Sequence, residues 1–167
     1  MEQAHQEHQA QHDGPQMMRK HYMMLGVMFV VMLILMYVIM FAMIWNGAQF
    51  VHNINFFYMA ILMATPMIFM MPLMMRSMYT NRTWNLVVYV GSLVLFVLAF
   101  VAIRDQTLVG DKQFVRSMIP HHSGAILMCN RSSLRDAEVR DLCFKPDGIV
   151  KSQEREIEQM EAILERL

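Results

Sequence analysis

Apolar and polar positions divide this chain into two parts of opposite character. Charged residues are scarce between Tyr22 and Ile103 and plentiful on either side. Tyr22 to Trp45 is an unbroken uncharged run, long enough to cross a hydrocarbon core of about 30 Å as a helix. Phe56 to Met75 is a second such run, and Leu86 to Ile103 a third. Tyr22, Trp45, Tyr58, Tyr79 and Trp84 lie near the ends, where amphipathic rings favour the headgroup zone. The pattern predicts three transmembrane helices, over about 22–45, 56–75 and 86–103, within a region spanning 22–104. The first run is too long for a cleavable signal peptide, and Asn46-Gly47-Ala48-Gln49 is a poor cleavage site.

Beyond Ile103 the period changes. Gln106 to Gly110 reads as a short break, and Asp111 as the N-cap of a new helix. Val115, Met118, His122, Ala125 and Cys129 then recur at three- and four-residue spacing, one stripe of a helix. Pro120 within it predicts a kink or local irregularity just before the histidines. Ser132, Ser133 and Asp136 punctuate the end, a short helix carries Val139 and Leu142, and Pro146-Asp147-Gly148 signals a turn. The last helix is expected from about Ile149 to Leu167, with Val150, Gln153, Ile157, Met160, Leu164 and Leu167 on its seam. The fold class is therefore all-α, three transmembrane helices followed by a small helical hairpin over 111–167. So short a soluble part is small for an independent core. Two hairpins pairing into a four-helix bundle would remedy that, so a homo-oligomer is expected.

Charge sets the orientation. Arg19 and Lys20 precede the first span, Arg76 and Arg82 lie between the second and third, and Asn46 to Asn55 has neither Lys nor Arg. The positive-inside rule puts the N-terminus in the cytoplasm and everything after Ile103 outside it. In a bacterium this describes a multi-pass inner-membrane protein with a periplasmic C-terminal domain. Residues 1–21 form a polar, Gln- and His-rich cytoplasmic tail. Its His5, His8 and His12 would share a face if helical and could hold a metal ion. The composition, broken by Asp13-Gly14-Pro15, instead predicts a disordered tail.

Composition then directs attention to sulfur. The chain has 21 methionines and no net formal charge. Met24, Met28, Met32, Met36 and Met40 repeat along the first span, and Met59, Met63, Met67, Met71 and Met75 along the second. Such ladders can relay soft cations or simply present flexible apolar surface. No Asp, Glu, Lys, Arg or His lies inside any span to mark an ion pathway.

The densest donor set is Met118-Ile119-Pro120-His121-His122, with Met128 and Cys129 further along the same helix. Thioethers, imidazoles and a thiol form a soft-to-borderline set that suits Cu(I) or Ag(I) better than Mg²⁺ or Ca²⁺. Folding this helix against the last brings His121 and His122 level with Gln153 and Glu156, and Met118 nearer Met160. The metal candidates are His121, His122, Met118, Met160, Glu156 and Gln153, with Met128, Cys129 and Cys143 as weaker ones. The plain alternative is a His122–Gln153 hydrogen bond among methionine core filler. Cys129 and Cys143 flank the Ser132–Asp136 turn at comparable distances. A disulfide between them is favoured over a thiolate pair.

Met118-Ile119-Pro120-His121-His122 followed by Gln153-Glu154-Arg155-Glu156-Ile157-Glu158-Gln159-Met160 resembles the bacterial domain of unknown function 305 family. The resemblance covers Asp111 to Leu167. Three-span members with a feature like Val109-Gly110-Asp111 extend it to residues 22–167. It implies a ferritin-like helical fold, extracytoplasmic placement and association with copper or silver handling. Phe144 to Asp147 depart from the family pattern as a short insertion.

No nucleophile–base arrangement, phosphate loop or dinucleotide fingerprint is present, so no enzyme is expected. Nucleic acid is not an expected partner; the lipid bilayer, further copies of the chain and other metal-handling proteins are. The leading expectation is a membrane-anchored protein that sequesters or hands over Cu(I) or Ag(I) outside the cytoplasm. A small transporter or channel subunit using the Met ladders, and a structural or adaptor protein without metal, are the alternatives.

Overall fold

A computed structural model describes the backbone of residues 2–167 and the side chains of residues 16–167. The described residues form six α-helices and no β-strand. They are α1 (Glu2–Ile39), α2 (Ile54–Met74), α3 (Arg82–Arg104), α4 (Asp111–Arg131), α5 (Ala137–Phe144) and α6 (Ile149–Arg166). Short 3₁₀ turns at Met40–Met43 and Gly47–Gln49 follow α1. The metal face expected of His5, His8 and His12 lies outside the described side chains. The expected break at Asp13-Gly14-Pro15 is corrected, because α1 is helical from Glu2. Pro15 removes one backbone donor without stopping the helix.

Three helical stretches are long and apolar enough to cross a membrane: Gln16–Met43, Ile54–Met74 and Arg82–Arg104. Each contains most of its predicted run. The chain divides into two compact units, one of residues 1–36 and 59–102, the other of residues 37–58 and 103–167.

The first unit holds most of the apolar helices. Its buried positions are mainly small: Ala60, Ala64, Thr65, Ser92 and Ala99, with Leu25, Ile61 and Tyr79. Small side chains let helices approach where no hydrophobic force separates protein from lipid. Pro66 sits inside α2 and leaves the Leu62 carbonyl without its usual donor. The Thr65 hydroxyl donates to Ile61 O at 2.9 Å and lies 3.5 Å from Leu62 O. Met24, Met28, Met59, Met63, Met67 and Met74, rungs of the ladders or beside them, are exposed.

The second unit is built around α4. Gly110 caps the helix with extended backbone, and Asp111 is its first residue. This moves the expected N-cap by one position and leaves the Asp111 carboxylate beside the positive end of the helix dipole. The helix runs unbroken through Pro120, which is buried. Val115, Ile119, Ile126 and Cys129 pack with Val150 and Ile157 of α6 and with Cys143 of α5. This corrects the predicted stripe. Met118 and Ala125 are half-buried at its edge, while Ile119 and Ile126 are enclosed. On α6 the expected seam holds through Leu164, but Leu167 is exposed.

Asp136 caps α5 by accepting from the Val139 N–H at 3.0 Å. Val139 and Leu142 face solvent, so α5 is held by Cys143 alone among its fully buried residues. The turn between α5 and α6 needs glycine. A Cβ on Gly148 would stand 2.8 Å from the Cys143 carbonyl oxygen, closer than real carbons approach.

Candidate functional site

The second face of α4 explains how its histidines are held. Ser117, Pro120, Ser123 and Gly124 are buried although none is a strong apolar residue. They lie against the chain between α1 and α2. The Trp45 N–H donates to Ser123 Oγ at 2.6 Å, and Ser123 donates onward to Gln49 Oε1. Asn46 caps the second 3₁₀ turn by accepting from the Ala48 N–H at 3.2 Å, so Gln49 is fixed in place. Lower down, Asn55 Nδ2 donates to Ser117 Oγ at 3.1 Å, and the Ile54 N–H donates to Gln113 Oε1 at 3.2 Å. Asn53 caps α2, and Tyr37, Phe41, Phe50 and His52 pack as an aromatic group beside it. Sequence reasoning missed this contact. Its signal was the small, polar spacing Ser117, Pro120, Ser123, Gly124, which follows the same helical period as the seam.

With two faces of α4 fixed, the position of each predicted donor is settled. His122 lies on the seam between Ile119 and Ile126, its side chain 12% exposed. Its Nδ1 is 3.3 Å from Glu156 Oε2, a carboxylate 49% exposed. Gln153 Nε2 donates to that same oxygen at 3.3 Å. The His122–Glu156 approach has ion-pair distance, yet Nδ1 remains a buried nitrogen without a hydrogen-bond partner. The separation suits a hydrogen bond but the alignment does not, so the carboxylate acts on the imidazole only through space. Burial holds the His122 pKa below its usual value. The Glu156 carboxylate opposes that shift, and His121 adds to it.

The His122–Gln153 hydrogen bond of the plain alternative is thus absent, because the Gln153 amide is turned to Glu156. His121 is exposed, its ring centroid 6.0 Å from that of His122. Met160 is half-buried against the core, Met118 half-buried one turn before His122, and Met128 exposed. Cys129 and Cys143 form a disulfide with a Cα–Cα distance of 5.7 Å. The favoured reading holds. Both sulfurs are covalently used, so neither cysteine is a thiolate ligand. Among the described residues, no three His, Cys, Asp or Glu side chains gather closely enough to hold a metal ion.

The donors that do meet suit an ion in part. Two ligand atoms about 2.0–2.2 Å from one tetrahedral centre stand about 3.4 Å apart, close to the 3.3 Å between Nδ1 and Oε2. An unpartnered, neutral imidazole nitrogen is a ready ligand. Imidazole and carboxylate alone are borderline-to-hard, so a soft preference has to come from the Met118 and Met160 thioethers.

The family described as Domain of unknown function (DUF305) matches residues 102–165, covering the end of α3, all of α4 and α5, and α6 but for its last residue. An uncharacterized protein of Acanthamoeba polyphaga mimivirus is 35% identical over 117 residues, 68% of this chain and 72% of that protein. No solved structure matches.

Proposed function

The chain belongs to the DUF305 family, and from that premise we propose that it is a membrane-anchored, non-enzymatic binding protein for a soft metal ion, Cu(I) or Ag(I). It sequesters the ion, or passes it on, outside the cytoplasm. The observation that carries this reading is the buried, unpartnered His122 Nδ1 facing the Glu156 carboxylate between two helices. An orphaned buried nitrogen is expensive, by about 1–3 kcal/mol, unless something binds it. His122 and Glu156 hold the ion, Met160 and Met118 select it, and Gln153 orients the carboxylate.

In this reading α1 to α3 anchor the chain in a cell membrane with the N-terminus cytoplasmic. α4 to α6 then lie outside, which in a bacterium means the periplasmic face of the inner membrane. Arg19, Lys20, Arg76 and Arg82 against the uncharged 46–55 loop support the orientation. The bonds from Trp45 and Asn55 to α4 support the number of crossings. Three spans put the first loop and everything after the third on one side.

A scaffold reading, in which His122 only specifies assembly, draws on the absence of three gathered donors among the described residues. One experiment separates the two. The purified full-length chain is loaded anaerobically with Cu(I), and its metal content and affinity are compared with His121→Ala/His122→Ala. The metal reading expects the variant to lose most of the bound ion. If it binds Cu(I) as tightly as the parent, the scaffold reading replaces it.

A further inference from the structure

At about 100° per residue, α4 has a third face besides those fixed on α6 and on the first loop. It carries Phe114, Met118, His121, Ala125 and Met128, at intervals of four, three, four and three residues. Phe114 is 54% and Met128 51% exposed, and Met118 and Ala125 are half-buried. None of the five belongs to the core around Ile119 and Ile157. Glu156 lies on the α6 flank that adjoins this stripe, since His122, at the edge of the seam nearest it, makes its contact there. The apolar stripe and the half-built donor set therefore share one surface.

We infer that this surface seats a second copy of the chain, and that the partner subunit completes the metal site. Three observations select that occupant. A stripe with this interval packs along a matching stripe, and a two-fold axis supplies an identical one. Polar complementarity agrees, because the surface carries the imidazole of His121 and the carboxylate of Glu156, a donor and an acceptor that a two-fold rotation can bring into opposition. Donor number agrees too. Within one chain only one imidazole nitrogen and one carboxylate oxygen stand at contact distance, and a second copy doubles that pair. A lipid surface fits less well, because the Glu156 carboxylate adjoins the stripe and anionic headgroups repel it. The interface stands on the exposed stripe alone; its role in metal binding rests on the function proposed above.

The test uses the full-length chain in nanodiscs holding several copies. Ala125→Cys places a thiol on the stripe, and Leu142→Cys places one on the exposed side of α5 as a control. Far-UV circular dichroism and a count of one free thiol per chain verify that fold and native disulfide are intact. A short bis-maleimide should join two chains through Ala125→Cys, not through Leu142→Cys. Adding Met128→Glu to the first variant should abolish the product. No cross-link at Ala125→Cys, or equal cross-linking at Leu142→Cys, overturns the interface. Cu(I) titration reads the second half. The parent should bind one ion per two chains, and Met128→Glu, with His121 and His122 intact, should lose at least tenfold in affinity. Unchanged affinity in Met128→Glu overturns the shared site. A parent that cross-links but binds no Cu(I) leaves the interface standing and removes the metal function instead.

Discussion

Replacing His122 with Leu separates a residue kept for binding from one kept for stability. The side chain is 12% exposed and sits between Ile119 and Ile126, opposite Val150 and Ile157. Its Nδ1 is buried without a hydrogen bond, so the folded chain forgoes about 1–3 kcal/mol that water supplies to the unfolded one. Leucine removes that penalty and adds only the apolar area by which it exceeds the imidazole ring already buried there. Imperfect fit and residual exposure take back part of the gain, since shape changes in cores commonly cost about 1 kcal/mol. The net expectation is a metal-free protein about 1–2 kcal/mol more stable than the parent. The measurement is urea unfolding in detergent with a chelator present, at pH 8, where a neutral imidazole removes any ion pair with Glu156. Trp45, in the same compact unit as His122, reports the transition in a Trp84→Phe background. A variant less stable than the parent by 1 kcal/mol or more would show that His122 has a partner, and would refute the argument from its orphaned nitrogen.

Three further outcomes are expected. Cys129→Ala/Cys143→Ala opens a 14-residue separation, and the chain-entropy relation gives a loss of about 3 kcal/mol; an unchanged urea midpoint would contradict it. Because His122 titrates below its usual value when folded, the unfolded chain binds its proton first. Its contribution is therefore fully present above about pH 6.5 and is lost as pH falls through that value toward the folded pKa. Metal-free parent and His122→Leu should diverge over that range, and parallel pH profiles would count against the assignment. Ser123→Ala leaves the Trp45 N–H and Gln49 without their shared hydroxyl, which should lower stability by about 1–3 kcal/mol; a loss under 0.5 kcal/mol on the same assay would mean that water replaces it.

The boundaries of the apolar helices were readable from composition because a bilayer imposes one requirement on length and charge. The observed stretches Gln16–Met43, Ile54–Met74 and Arg82–Arg104 overlap every predicted span. The break at Asp136 and the Pro146-Asp147-Gly148 turn were readable for a similar reason. Caps and turns depend on the side chain that occupies them. The faces of α4 were less readable. Its apolar and small residues go round most of the helix, so periodicity assigned Met118 and Ala125 to a core that Ile119 and Ile126 fill. The contact that decides this comes from residues 45–55, far away in sequence, and no local period announces it.

Helical character, three stretches able to cross a membrane, and a Met-His-His group ahead of an amphipathic last helix can all be read from the residues in order. These follow from hydropathy, length and the helical repeat, which are local properties. The pairing of Cys129 with Cys143 came from packing, which brings their Cα atoms to 5.7 Å, within disulfide reach. Packing likewise turns His122 inward to Glu156 and leaves His121 in solvent. Adjacent residues differ by about 100° around a helix, and which of two neighbouring imidazoles loses its water depends on where α6 and the first loop pack.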